Sequence, residues 1–185
     1  MSDTGVLAAS ACSDDSGIGS RSWSNPTNAQ GAQNGTVATV DLSSGFGNVS
    51  HYLIAAFTHG LDPADTITGI VAAFYRSATL MDTDPPADST IKLVKNGVVS
   101  GTNKSAGGDW PQVAAWSGDY GGAADTWGLS LSGADTIGLA ISCTAPDPND
   151  SAEIDAVRMT IYYTTVTPAG RLLARQRHMR MRCQS

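Results

Sequence analysis

Apolar and polar residues alternate in short segments along most of this chain, from about residue 36 to residue 164. Alternation with a period of two is typical of a β-strand that buries one face, and the intervening residues are rich in Gly, Pro, Asn and Asp, which favour turns. The run 51–57 is mostly apolar, so we expect it to be buried on both faces. The pattern predicts eight strands, at 36–42, 51–57, 66–76, 90–95, 98–101, 127–131, 137–141 and 154–164.

The connections between these segments add to the prediction. Asn96-Gly97 separates two strands by two residues and predicts a type I′ hairpin, in which both central residues need a positive φ. The segment 81–89 contains Pro85-Pro86 and three aspartates and is predicted to be a loop, and 107–128 is predicted to be a long irregular segment. Long connections between short strands favour a jelly roll, or a similar Greek-key sandwich, over an up-and-down barrel.

We therefore expect an all-β fold with a single antiparallel β-sandwich, jelly-roll-like, over residues 36–166. Residues 1–35 are polar and glycine-rich, and we expect them to form an extended N-terminal arm that becomes ordered against the sandwich or against a neighbour. Residues 167–185 are expected to form a basic C-terminal docking tail, for which a helix and an added strand both fit the sequence.

Composition supports the all-β prediction. The 185 residues are 41% hydrophobic, which suffices for one well-packed core. The chain has one glutamate and three lysines against 16 aspartates, so two of the best surface-helix formers are nearly absent. No apolar run approaches the roughly 20 residues of a membrane-spanning helix. The first 12 residues lack the basic start of a signal peptide, and the three cysteines have no metal-ligand spacing, so we expect free thiols in a reducing cytoplasm.

The charges are separated along the chain. The first 170 residues contain six basic and 17 acidic residues, a formal net charge of −11, while the last 15 contain five arginines and no acidic residue. An acidic body with a basic segment is typical of a subunit that docks onto copies of itself or onto another acidic surface, and it makes a poor general binder of nucleic acid. The residues predicted to dock in assembly are Arg171, Arg175, Arg177, Arg180 and Arg182.

No pattern of catalytic residues is present in the sequence. Aspartate pairs such as Asp62 with Asp65 and Asp82 with Asp84 sit beside Pro or Thr, where aspartate caps turns, and no serine occupies a G-x-S-x-G frame. The histidines of the body, His51 and His59, are expected to have structural roles. The clusters 82–88 and 147–150 offer oxygen ligands for Ca²⁺ but lack the glycine and glutamate of an EF-hand loop. We predict no catalytic residue, metal or cofactor.

Aromatic residues give one further binding hypothesis. Trp110, Trp116 and Tyr120 lie close together in the glycine-rich segment 107–128 and could stack against the rings of a glycan. The same residue types also serve as core side chains and loop anchors, so the sequence leaves both interpretations open.

Several segments, taken in order, resemble a β-sandwich family found in virion proteins of tailed bacteriophages and in prophage-encoded proteins. The matching segments span about residues 23–164: Trp23-Ser24-Asn25-Pro26 with Asn28-Ala29, Ile67-Thr68-Gly69-Ile70, Ile91-Lys92-Leu93-Val94-Lys95-Asn96-Gly97, Gly101-Thr102-Asn103-Lys104, Asp109-Trp110-Pro111, Tyr120-Gly121-Gly122, Asp125-Thr126-Trp127-Gly128 and Val157-Arg158-Met159-Thr160-Ile161-Tyr162-Tyr163-Thr164. The resemblance implies a non-enzymatic virion component with a jelly-roll-like fold. It leaves open whether the place in the particle is shell decoration, spike, tail or fibre.

Charge and resemblance together predict a structural protein on the surface of a phage-like particle, a capsid decoration or head-spike subunit made and assembled in the host cytoplasm. Its expected partners are other virion proteins, either the major capsid protein or tail components, and further copies of itself. A trimer is one arrangement that a jelly roll at a shell axis would allow. The alternative is a tail or fibre protein, or a carbohydrate-binding module that recognises a receptor.

Overall fold

The structure is a computed structural model that describes residues 1–43, 47–79, 84–146 and 150–166. Strands are the main regular structure of these residues, which also include one 3₁₀ helix at Pro26–Ala29. The strands are β1 (Ser2–Asp3), β2 (Leu7–Ala8), β3 (Ala11–Asp15), β4 (Trp23–Ser24), β5 (Ala38–Asp41), β6 (Asn48–Val49), β7 (Tyr52–Phe57), β8 (Thr66–Thr79), β9 (Ala87–Lys95), β10 (Val98–Ser100), β11 (Ala115–Trp116), β12 (Tyr120–Gly122), β13 (Ile137–Ala145) and β14 (Ser151–Thr164).

Two antiparallel sheets form the fold. Sheet I has the order β11-β8-β14-β5-β4, with β12 also on β8 and with β1 and β2 also on β14. Sheet II has the order β10-β9-β13-β7-β3, with β6 also on β13. Side chains from the inner faces of both sheets make one hydrophobic core. The prediction of an all-β antiparallel sandwich is confirmed.

The strand order is that of a jelly roll. Eight of the strands make two four-stranded sets, β5-β14-β8-β12 and β7-β13-β9-β10. Numbered one to eight along the chain, the sets are 1-8-3-6 and 2-7-4-5, which is the jelly-roll arrangement of two Greek keys. The chain therefore crosses between the sheets at every connection among these eight strands except the β9–β10 hairpin.

The hairpin prediction is confirmed. Lys95 pairs with Val98, and the two residues between them, Asn96 and Gly97, have φ values of 52° and 80°. Both central residues of a type I′ turn need positive φ, and this pair of residue types tolerates it best.

A β-bulge sets which residues of the long strand β14 face the core. The register against β8 shifts between Ile154 and Ala156, so the buried set changes from Ala152 and Ile154 to Val157, Met159 and Ile161. A shift of one residue moves every later side chain to the opposite face. Arg158, Thr160 and Tyr162 consequently lie on the outer face of sheet I.

Three local predictions need correction. The run 51–57 is not buried on both faces, because β7 exposes Ala56 and half-exposes Tyr52 and Ile54 on the outer side of sheet II. Residues 127–131 are not a strand, since Trp127 has a φ of 58° and the amide of Leu129 bonds back to Thr126. The predicted loop 81–89 ends earlier than expected, because β9 begins at Ala87; residues 81–83 lie outside the described residues.

Residues 1–35, predicted as an arm, lie extended along both sheets. β1 and β2 pair with β14, β3 pairs with β7 and β4 pairs with β5. Ala9, Cys12, Trp23 and Ala29 belong to the hydrophobic core. Parts of this segment are therefore strands of the two sheets.

The basic segment 167–185 lies outside the described residues. Within the described ranges, no helix has the length and hydropathy to cross a membrane.

Candidate functional site

A buried carboxylate determines where two of the three predicted glycan contacts lie. The Asp88 side chain is 0% exposed, and its Oδ1 accepts hydrogen bonds from the Arg76 guanidinium and, at 2.9 Å, from Trp110 Nε1. Its Oδ2 accepts a 2.6 Å bond from the Tyr120 hydroxyl. Burial, and then the hydrogen bond to Asp88, raise the pKa of Tyr120 well above its ordinary value.

The rings of this cluster pack together inside the sandwich. Phe74 lies between Trp110 and Tyr120, with centroid distances of 5.6 Å and 5.4 Å, and the Arg76 guanidinium sits 5.2 Å from the Trp110 ring centre. Trp110 is 1% exposed and Tyr120 is 6% exposed. Neither ring face is open to a glycan, which corrects the prediction for these two residues. Their role is to fasten the segment before β12 to the ends of β8 and β9.

Trp116 is different, because it lies on the outer face of sheet I. It is the one tryptophan of the four that is not buried. It pairs with Tyr75, whose ring lies 5.5 Å away, and the Arg158 guanidinium stacks over the indole at 4.0 Å. Within the described ranges, Arg158 makes no ion pair. These three side chains form a ridge across the middle of the face.

A concave region of about 380 Å³ lies on one side of this ridge. We call it the acidic groove and define it by Asn34, Tyr75, Ser77, Glu153 and Asp155. Glu153 stands between β5 and β8 in the sheet and accepts a 2.9 Å hydrogen bond from Ser77 Oγ. Asp155, at the β14 bulge, accepts 3.1 Å bonds from the backbone amides of Asn34 and Gly35. The wall of the groove thus presents the half-buried Glu153 carboxylate beside an aromatic ring. The Asp155 carboxylate adds its negative charge from a buried position, 7% exposed.

A second hollow, of about 240 Å³, lies on the other side of the ridge. Its floor is made by small side chains, Val71 and Ala73 of β8, and Asp119, Arg158 and Tyr162 are among the residues that line it. It holds one cation and one anion, so its charge is balanced. The outer face of sheet I therefore carries two concave regions that differ in charge.

The histidines have structural contacts. His51 Nδ1 lies 2.9 Å from Asp14 Oδ2, and the other Asp14 oxygen accepts the Trp23 amide at 2.7 Å. The neighbouring hydroxyl, Ser50 Oγ, donates to the His51 carbonyl and accepts the Cys143 amide, so it is not directed at the imidazole. The contacts of Asp14 with His51 and with the Trp23 amide therefore fasten β3 and β4 to the start of β7.

His59 has a similar structural role. It bonds the Asp135 carbonyl through Nε2 at 2.9 Å and accepts the Leu61 amide through Nδ1 at 3.2 Å. Together these bonds hold the segment after β7 against the turn before β13.

The two aspartate clusters that offer oxygen ligands for Ca²⁺ in the sequence are only partly within the described residues. Asp88 belongs to the buried cluster with Arg76, Asp84 is exposed, and Asp82, Asp147 and Asn149 lie outside the described residues. Among the residues that are described, no group of three or more His, Cys, Asp or Glu side chains could hold a metal ion. The five predicted docking arginines, Arg171, Arg175, Arg177, Arg180 and Arg182, also lie outside the described ranges.

Sequence reasoning identified Trp116 but not its neighbours Tyr75, Arg158, Glu153 and Asp155. The outward position of Arg158 was readable from the alternation in the last strand, while the pairing of β14 with both β5 and β8 was not. Comparisons with models of known protein families, with curated protein sequences and with solved structures found no match.

Proposed function

We propose that this protein is a non-enzymatic structural subunit on the exterior of a phage-like particle, a capsid decoration or head-spike subunit. The observation that supports it most is the charge separation, taken with the point at which the basic segment leaves the body. β14 ends at Thr164 beside β1, where Tyr163 pairs with Ser2, and Val166 is 55% exposed. The arginines therefore follow an exposed end of an acidic sandwich.

Connections between other strands lie at the same end of the sandwich, so this end can be assigned an orientation relative to the particle. Asp65 precedes β8 at this end, and Asp135 precedes β13. In our proposal this end faces the shell, with the arginines bound to acidic surfaces of the major capsid protein, tail components or neighbouring copies. Many identical sites on one particle make individually weak contacts sufficient. The resemblance to virion β-sandwich proteins supports the same function.

Cosedimentation with particles that lack this protein tests the proposal. We expect saturable binding at about 0.1 M salt and loss of binding at about 1 M salt, because the Debye length falls from roughly 10 Å to roughly 3 Å. A chain without residues 171–185 should stay folded, since the described jelly roll ends before them, and should bind poorly. A matched variant with the five arginines replaced by lysine keeps the charge and should retain most of the salt-sensitive binding. Normal binding of the shortened chain contradicts the docking role.

A receptor-binding role on a tail or fibre is the second candidate, and the position of Trp116 favours it. This ring is partly exposed on the outer face of sheet I, and a sugar ring could stack against it. Its neighbours Tyr75 and Arg158 line the groove and the hollow, respectively. Titration with host-surface glycans should then change tryptophan emission in the native protein but not in Trp116→Phe. Binding to host cells or purified tails, without binding to shells, would favour this candidate over the first.

A further inference from the structure

We propose that the acidic groove receives arginine side chains from the segment 171–182 of a second copy of this chain. This inference rests on the proposed docking function and names the surface on which docking between copies occurs. Glu153 and Asp155 both line the groove, and neither makes an ion pair within the described ranges. Of the described residues that line it, Arg76 is the one cation, and it is already paired with buried Asp88.

The chemistry of the groove suits guanidinium. A planar guanidinium binds carboxylate oxygens through two N–H groups and also stacks on aromatic rings, which an ammonium does less well. Glu153 supplies the carboxylate, and Tyr75 supplies the ring beside it. The same face already holds a guanidinium stacked on an aromatic ring, since Arg158 lies 4.0 Å over Trp116.

The distance along β14 favours a groove on another copy. From Asp155 to Thr164 the strand takes nine residue steps, which span roughly 30 Å at about 3.3 Å each. To reach its own groove, the basic segment would have to run back along sheet I past Arg158, a like charge. To reach the groove of a second copy, the segment need not run back along its own sheet or pass its own Arg158. Such a contact joins different surfaces of two copies, so repeated contacts close into a ring, such as a trimer, or continue as a filament.

Sedimentation velocity of the full-length protein over a range of concentrations tests the inference. We expect concentration-dependent association that weakens about tenfold in Glu153→Gln, because one charge-assisted hydrogen bond is lost. Glutamine keeps an oxygen that accepts from Ser77 Oγ, so the fold should be retained, as thermal unfolding would verify. Asp119→Asn is the matched control: it removes the same charge from the same face but outside the groove, and association should stay unchanged.

Three further outcomes test this inference separately from the proposed function. Replacing the five arginines with lysine should weaken association between copies as much as Glu153→Gln does, because stacking and paired N–H bonds are lost although charge is kept. If Glu153→Gln and wild type associate equally while both still bind particles, the groove assignment is wrong and the docking function stands. If the protein is monomeric at all concentrations, including in the presence of particles that it binds, the second-copy inference is overturned.

Discussion

Replacing Asp88 with alanine is the most direct test of how this sandwich holds its long irregular segment. The carboxylate is buried and accepts hydrogen bonds from the Arg76 guanidinium, the Trp110 indole and the Tyr120 hydroxyl. The Asp88 carbonyl also accepts a 2.8 Å bond from Ser105 Oγ, but that bond belongs to the backbone and survives the substitution. Alanine therefore removes one acceptor group and leaves three buried donors.

The expected cost follows from what is left unpaired. Removing one partner of a buried ion pair costs about 3–5 kcal/mol, because the remaining charge loses its compensation. Each buried neutral donor left unpaired costs about 1–3 kcal/mol more, although these terms do not add fully. We expect Asp88→Ala to lower the free energy of unfolding by about 4 kcal/mol or more. That is a large part of the 5–15 kcal/mol typical of a domain.

A double variant separates the cost of the unpaired Arg76 charge from the cost of the unpaired neutral donors. In Arg76→Met/Asp88→Ala the guanidinium is gone, and replacing a buried pair with apolar side chains is often neutral or stabilising. The double variant should therefore be more stable than Asp88→Ala alone, by about 1–2 kcal/mol. Urea unfolding followed by tryptophan fluorescence and far-UV circular dichroism measures both, provided that the m-value is unchanged. A cost below about 1 kcal/mol for Asp88→Ala, or a double variant that is no more stable than Asp88→Ala, would refute the reasoning.

Three other predictions concern backbone clearance, pH and exposure. Gly69→Ala should lower the free energy of unfolding, measured in urea, by more than about 2 kcal/mol, because a Cβ there would lie 2.2 Å from the Ala123 carbonyl. Gly118 has open space around it, so Gly118→Ala should be nearly neutral. Burial raises the pKa of the Cys143 thiol to about 12, above the roughly 8.5 of an unfolded thiol. Because the folded state holds this proton more tightly, the thiol's contribution to the free energy of unfolding should be fully present below pH ~8.5 and should decline as the pH rises toward 12. The decline should be shallower in Cys143→Ala. Acrylamide should quench mainly Trp116, so Trp116→Phe should leave an emission that acrylamide scarcely affects; strong residual quenching would contradict the burial of the other three tryptophans.

Sequence patterns predicted those parts of the fold that depend on residues close together in the chain. Asn96-Gly97 fixed a hairpin because the conformation of a two-residue turn depends on those two residue types. The long strands were found because alternation continues over many residues, yet β8 extends beyond its predicted end at residue 76. Ser77 and Ala78 continue the strand by pairing with Glu153 and Ala152 of β14, and such pairing is a property of the whole sheet.

The strands of the first 35 residues had no comparable signal. β1 to β4 contain few apolar side chains and join the sheets mainly through backbone hydrogen bonds to β14, β7 and β5. Composition indicates which side chains are buried and not which backbone groups pair. A polar segment that pairs with a sheet edge is therefore predicted as an arm. The opposite error occurred at 127–131, where Trp127 and Leu131 are both buried but the backbone between them turns.

The Asp88 cluster shows why the aromatic residues were ambiguous. Arg76, Trp110 and Tyr120 are separated from Asp88 by 12, 22 and 32 residues. No local pattern connects them, so a tryptophan that donates to a buried carboxylate cannot be told from one that stacks on a sugar. The sequence identified the right segment, and only the packing of Phe74 between the rings assigns two of its aromatics to the core.

The carboxylates of the body divide by what they contact, and this division makes a last prediction. Many aspartates accept backbone amides two residues ahead in turns, as Asp62 does from Ala64 and Asp125 does from Trp127. Asp125 also pairs with Lys104 at 2.7 Å. Glu153 instead faces a groove, and among the described residues its carboxylate bonds only the Ser77 hydroxyl, which glutamine can also accept. Asp125→Asn should therefore lower the midpoint of urea unfolding and leave association between copies unchanged, while Glu153→Gln should do the reverse. If both variants lose stability without loss of association, the groove carboxylate belongs to the fold alone.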